Sequence, residues 1–149
     1  MITHYQLWVA VVLTGQCYDP QMLANERSTR QRQAILSDIS AAGRPLLPAE
    51  ILDIAQVDVP GIGIATVYRN LKSLHEEGVL QVVNLPGENA RYELRDQPHH
   101  HHFQCRACGR VFDIPGCPGS LEGLAPAGFI TDGHELTLYG QCADCLVVN

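Results

Sequence analysis

Cys105-Arg106-Ala107-Cys108 and Cys142-Ala143-Asp144-Cys145 place two thiol pairs at the same C-x-x-C spacing. Each pair can chelate as one turn, and four thiolates in two such pairs are the donor set of a tetrahedral structural zinc site. A site of that kind is closed, and its binding free energy is folding free energy. Gly109 after the first pair and Gly140 before the second suit the tight turns of metal knuckles. Directly before the first pair runs His99-His100-His101-His102. If this run is extended, His99 and His101 point one way and His100 and His102 the other. One run then feeds two metal sites; taken alone it also reads as a solvated histidine tract. Cys117, in Gly116-Cys117-Pro118-Gly119, reads first as a small buried thiol in a turn, with an extra soft ligand or a redox handle as alternatives.

Six cysteines in 149 residues also raise a disulfide framework, but no secretory signal accompanies them. The apolar stretch Tyr5 to Leu13 lacks a basic flank and a cleavage site, and it is too short to cross a bilayer. The expectation is a reduced, cytoplasmic protein with no membrane partner. A net charge of −6 excludes a broad basic field for nucleic acid. All ten Lys and Arg nevertheless fall between Arg27 and Arg110, so any DNA contact belongs to a local patch in the middle of the chain.

The elements that must carry these residues divide the chain in three: a leader over 1–26 of uncertain order, a first unit over 27–96 and a second over 97–149. Ile35, Leu36 and Ile39 give helical spacing after Thr29-Arg30-Gln31-Arg32, and Gly43-Arg44-Pro45 ends that helix. Pro48 suits the first turn of the next helix, whose buried face is Ile51, Leu52 and Ala55. A third helix starts near Ile64 and stops at Gly78. Val79 to Val83 and Arg91 to Leu94 read as strands around the turn Pro86-Gly87-Glu88-Asn89. Three helices and a two-stranded wing make a winged helix-turn-helix. Asp96-Gln97-Pro98 reads as a hinge. Beyond it come short strands at Phe103 to Cys105 and Val111 to Ile114, a stub of helix at Ser120 to Leu124, and a longer strand from Phe129 through Tyr139.

In the third helix, Ile64, Val67, Leu71 and Leu74 form one apolar stripe at i, i+3, i+7 and i+10. Thr66, Arg69 and Lys72 lie opposite, with Tyr68 beside them, and no acid occurs from Val59 through His75. A helix entering a major groove needs one apolar side for anchorage and one side of donors for base edges and phosphates. A solvated helix face with two ordinary bases fits the same pattern.

Ile64-Ala65-Thr66-Val67-Tyr68-Arg69-Asn70-Leu71 closely resembles the recognition helix of the Fur (ferric uptake regulator) family. Thr29-x-x-Arg32, His99 to Cys105, the Cys-Gly at 108 and 109, and Tyr139-Gly140-x-Cys142-x-x-Cys145 extend the resemblance from about Ser28 to Cys145, in the right order. It implies an α+β chain: a winged-helix DNA-binding domain, then a small α/β metal-binding dimerisation domain with a structural zinc on its four paired cysteines. It implies a homodimer on double-stranded operator DNA, a metal-dependent repressor of metal homeostasis genes, with Tyr68 and Arg69 touching bases. It adds Glu93 and Asp113 to His100 and His102 as a regulatory site bridging the two units. It adds His134 and Glu122 to His99 and His101 as a second candidate site. Gly43 to Leu47 holds no histidine, where many members have one, so the resemblance does not carry over metal identity or peroxide sensing. Within the resemblance, the histidine at 101 is the residue that zinc-type members often show, whereas Glu93, Asp113 and Leu94, where zinc-sensing members often have a cysteine nearby, point toward Fe2+ or Mn2+.

Two further readings are a peroxide-sensing member of the same family and a zinc-dependent hydrolase built on the histidines with Glu93 or Asp113. Against the hydrolase, no H-E-x-x-H helix and no nucleophile motif are present, and the expectation is a regulator rather than an enzyme. A zinc-stabilised interaction module with no DNA role would keep the four thiolates alone.

Overall fold

The computed structural model describes residues 20–119 and 121–147, with side chains from residue 25 onward except that of Glu122. Most of the expected leader, residues 1–19, lies outside the described residues. Helix α1 (Pro20–Ala42) begins before the leader's expected end at 26 and stops in front of Gly43-Arg44-Pro45. Helix α2 (Pro48–Asp58) opens on Pro48, and Glu50 accepts the Leu47 N–H at 2.9 Å, filling one of the donors that a helix start leaves open. Helix α3 (Ile64–Glu76) follows.

The three helices share one core. Ile35 and Ile39 from α1, Ile51 and Ala55 from α2, and Val67, Leu71 and Leu74 from α3 meet Leu80 of the wing, all buried. Each contributes about 1.5–3 kcal/mol of burial, less for alanine. Ile64, expected in this stripe, is 41% exposed; it sits in the first turn of α3, and Ile62 in the preceding loop is buried instead. The wing is strand β1 (Leu80–Val83) antiparallel to strand β2 (Arg91–Leu94), with Gln81 facing Glu93 in register. Leu46 and Tyr92 exchange backbone hydrogen bonds at 3.0 and 2.9 Å, which ties the wing to the chain entering α2.

The second unit is a three-stranded sheet. Strand β3 (His100–Cys105) lies at its centre, antiparallel to β4 (Val111–Pro115) and parallel to β5 (Thr137–Gly140). The histidine run is therefore extended, as the alternation argument requires, although His99 itself precedes the strand. The long strand expected from Phe129 to Tyr139 is only four residues, because β5 finds partners on β3 only from His102 to Cys105. The stub of helix is a 3-10 turn, Glu122–Leu124, and a short helix α4 (Ala143–Leu146) not anticipated from the sequence carries Cys145. Val83 and Leu85 of the wing pack with Val111 of β4 in a small buried cluster that joins the two units.

Candidate metal centres and helix face

The four thiols converge. Cys105 ends β3, Cys108 follows in the turn to β4, and Cys142 and Cys145 flank the start of α4; their sulfurs lie within 4.8 Å of one another. Gly109 adopts φ +72°, a left-handed turn that a side chain would strain, and its N–H donates to the Cys105 carbonyl at 2.8 Å. Gly140 pairs with Cys105 across the parallel strands, and a Cβ there would stand 3.1 Å from the Phe103 ring. The Cys142 N–H donates to Cys105 Sγ at 3.2 Å and holds that thiol down to about 6. Arg110 Nε donates to Cys108 Sγ at 3.4 Å and lowers that thiol too, while contact with Cys142 pushes Cys145 up to about 12. Four clustered thiols cannot all ionise without a cation to offset their charge, and Zn2+ is the ion this donor set fits.

On one face of β3, His100 and His102 meet the wing. His100 Nε2 lies 3.2 Å from Glu93 Oε1 and His102 Nε2 lies 3.4 Å from Glu93 Oε2. Asp113, the cross-strand partner of His102 on β4, stands 3.8 Å from His102 and 4.0 Å from His100. Glu93 is 1% exposed and takes a 2.5 Å hydrogen bond from Gln81 Nε2. Burial pushes its carboxyl upward, but the His102 and Gln81 hydrogen bonds outweigh this and hold it below the usual range. Asp113 goes the other way, raised by burial and then by Glu93. Its Oδ1 is buried without a hydrogen-bond partner. Two carboxylates and two imidazoles around an unsatisfied buried oxygen fit a divalent cation.

On the opposite face, the rings of His99 and His101 lie 4.7 Å apart, and His134 stacks on His101 at 5.0 Å. His101 is 2% exposed, and neither of its ring nitrogens has a hydrogen-bond partner. Burial and the neighbouring imidazoles of His99 and His134 push it down, toward the neutral form that ligates metal. Cys117 is exposed rather than buried: the turn after β4 is at the surface and directs Sγ to 3.2 Å from His134 Nε2. The side chain of Glu122, the fourth ligand expected here, lies outside the described residues.

Along α3, Tyr68 is 53% exposed, Arg69 and Lys72 are exposed, and Thr66 is half-buried. Arg69 Nη2 donates to Thr66 Oγ1 at 3.0 Å, and Lys72 Nζ rests 3.8 Å from Glu76. Val67, Leu71 and Leu74 anchor the other side of the helix. An exposed face of this kind, on the third helix before a wing, can enter a major groove.

Residues 24–139 match the Ferric uptake regulator family. The chain belongs to that family. It is 33% identical over 122 residues to the Ferric uptake regulation protein of Campylobacter jejuni, covering 78% of each chain. It is 32% identical over 128 residues to Transcriptional regulator FurA of Mycobacterium tuberculosis, covering 83% of this chain and 86% of that one. Among solved structures, a zinc-bound manganese uptake regulator superposes with a TM-score of 0.65 at 26% identity, over 82% of this chain and 97% of that one. Fur-family proteins are metal-responsive transcriptional regulators, not enzymes.

Within this Fur-family chain, three residues beside the centres were not singled out from the sequence. Gln81 could have been found from hairpin register, since it faces Glu93. Arg110 touches Cys108 and Cys142 and pairs with Asp144 at 2.6 Å, closing over the thiols. Arg91, buried on β2, reaches Gly109 and Glu50, and no local pattern signals that reach.

Proposed function

We propose that this chain is a metal-dependent, sequence-specific repressor of metal homeostasis genes, of the zinc or iron uptake regulator type. In this reading it binds double-stranded operator DNA as a homodimer. The observation that carries the reading is the position of Glu93. This buried carboxylate belongs to wing strand β2, yet its oxygens face His100 and His102 of the second unit at 3.2 and 3.4 Å. A cation held by Glu93, His100, His102 and Asp113 would fix the winged helix at one angle to the sheet. It stabilises only the arrangement it ligates, so metal would raise the population of the arrangement competent for DNA.

The other parts take supporting roles. A structural Zn2+ on Cys105, Cys108, Cys142 and Cys145 holds both ends of the second unit together. Tyr68 and Arg69 reach base edges, with Thr66 and Lys72 on the same face toward bases and phosphates. A two-fold operator calls for two such helices about one turn of DNA apart. Exposed apolar side chains in the second unit, Leu138, Tyr139, Phe129 and Ile130 among them, offer a surface for the partner copy. The two-nitrogen, two-oxygen donor set accepts Zn2+, Fe2+ or Mn2+. No described helix is long and apolar enough to cross a membrane.

The test is a gel-shift series on metal-stripped protein with Zn2+, Fe2+ and Mn2+, against an operator selected from a random duplex library. At least one metal should tighten DNA binding by about tenfold or more, and Glu93→Gln should abolish the gain while leaving the zinc of the four cysteines in place. DNA affinity indifferent to every metal would sink the switch. Turnover of a hydrolysable substrate that survives Arg69→Ala but fails in His102→Ala would favour a hydrolase instead.

A further inference from the structure

We propose that Gln81 determines metal specificity at the regulatory site. Its amide reserves one oxygen of Glu93, so Glu93 meets a cation through the other oxygen alone, and the site prefers Zn2+ to Mn2+. The inference rests on the reading of Glu93, His100, His102 and Asp113 given above, and deepens it by naming the residue that chooses the metal.

Gln81 stands on β1, directly across the wing from Glu93. Side chains of such a cross-strand pair lie close enough to touch. Gln81 Nε2 donates to Glu93 Oε1 at 2.5 Å, whereas the two imidazoles stand 3.2 and 3.4 Å from the same carboxylate. A short hydrogen bond to an ionised acceptor is a strong one. Glu93 is 1% exposed, so bulk water does not compete for that oxygen. Two residues earlier on the same face of β2, Arg91 donates to the Gly109 carbonyl at 2.7 Å and moors the strand against the second unit. With the backbone held there, the freedom left to Glu93 is rotation of its side chain, and Gln81 restrains it.

The consequence is chemical. A cation bound by His100 and His102 needs their free nitrogens, so it replaces their N–H contacts with Glu93. Gln81 takes no part in that exchange, and its amide stays on Oε1. Ligating carboxylates are themselves hydrogen-bonded in this way, and the partner tunes the metal. Asp113 presents Oδ1, which is buried without a hydrogen-bond partner. Glu93, His100, His102 and Asp113 each offer one ligand atom, all within 4.8 Å of one another. Two nitrogens and two single oxygens complete a four-coordinate Zn2+. Mn2+ belongs with the cations that prefer six oxygen ligands, and a site that withholds the second oxygen of Glu93 serves it less well. A cross-strand contact that merely stabilised the wing would leave metal preference untouched.

The full chain, with zinc kept on its four paired cysteines, is titrated with Zn2+ and with Mn2+ by calorimetry. The equivalent lost in Glu93→Gln marks the regulatory site. Gln81→Met keeps the side-chain length and removes the donor. It should weaken Zn2+ there by roughly tenfold, the usual effect of losing the partner of a metal ligand, with Mn2+ little changed. The ratio of the two affinities should therefore fall by about tenfold. A second measurement needs no Gln81 variant. The Co2+ spectrum of the wild-type chain minus that of Glu93→Gln should show the intense visible absorption of four-coordinate cobalt. An unchanged affinity ratio in Gln81→Met, or the weak bands of six-coordinate cobalt in the wild type, overturns the proposal and leaves the metal switch standing. Absence of any Glu93-dependent equivalent, for all three cations, overturns the switch as well.

Discussion

Arg91 Nη2 donates to the backbone carbonyl of Gly109 at 2.7 Å, linking wing strand β2 to the knuckle that carries Cys108. The guanidinium is 2% exposed and also reaches Glu50 at 3.4 Å, the residue that accepts the Leu47 N–H at the start of α2. One side chain thus touches the wing, the helical bundle and the turn between the paired cysteines and β4. Arg91→Met keeps much of the volume and removes the donors. It leaves the Gly109 carbonyl and part of the Glu50 charge uncompensated, so we expect a loss of about 2–3 kcal/mol. Thermal melts followed by circular dichroism check this; an unchanged melting temperature would mean that Val83, Leu85 and Val111 hold the junction unaided.

The four thiols bracket the second sheet, since Cys105 ends β3 and Cys142 follows β5. A Zn2+ held by the four thiols would tie those strand ends together, and stripping it would release them. Cys105→Ser is expected to lose one equivalent of zinc by elemental analysis and to expose the sheet to proteolysis. A strong chelator should do the same to the wild-type chain. Full zinc content in the variant would contradict this assignment.

Arg69 and Lys72 share the exposed face of α3 but should act differently. A base-reading Arg69 predicts that Arg69→Ala costs about 1–3 kcal/mol on the operator and relaxes specificity. A phosphate-binding Lys72 predicts that Lys72→Ala weakens operator and random DNA alike and lowers the salt slope by about one. Binding isotherms across a salt series separate the two. If both variants bound the operator with wild-type affinity and salt slope, α3 would not be the reading helix.

Asp38 stands on α1 with 9% exposure and one oxygen lacking a partner. Burial, then the charge of Asp58, raises its carboxyl above the ordinary value. A carboxyl raised in the folded state costs stability when ionised, and the cost disappears as pH falls through the raised value. Asp38→Asn should therefore stabilise the chain by about 1 kcal/mol near neutral pH, with the gain fading at acid pH. Equal melting temperatures at neutral pH would show that the carboxylate is solvated well enough to cost nothing.

Local pattern carried much of this protein. Pro48 and Gly78 mark helix ends, the Val67, Leu71 and Leu74 stripe buries one side of α3, and alternation along His99 to His102 divides the imidazoles between two faces. Each follows from backbone periodicity and turn chemistry, which act over a few residues. The C-x-x-C spacing likewise encodes a chelating turn within four residues. What only the tertiary structure decided depends on contacts distant in sequence. Ile64 is exposed and Ile62 buried because packing against α1 and α2, not helical period, chooses which residue reaches the core. Strand β5 is short because pairing with β3 limits it, not its own composition. Cys117 meets His134 across 17 positions because the chain after β4 turns back toward β5, and no spacing rule encodes that approach. Arg91 reads from the sequence only as the start of a strand, and the fold alone sets Gly109 beside it.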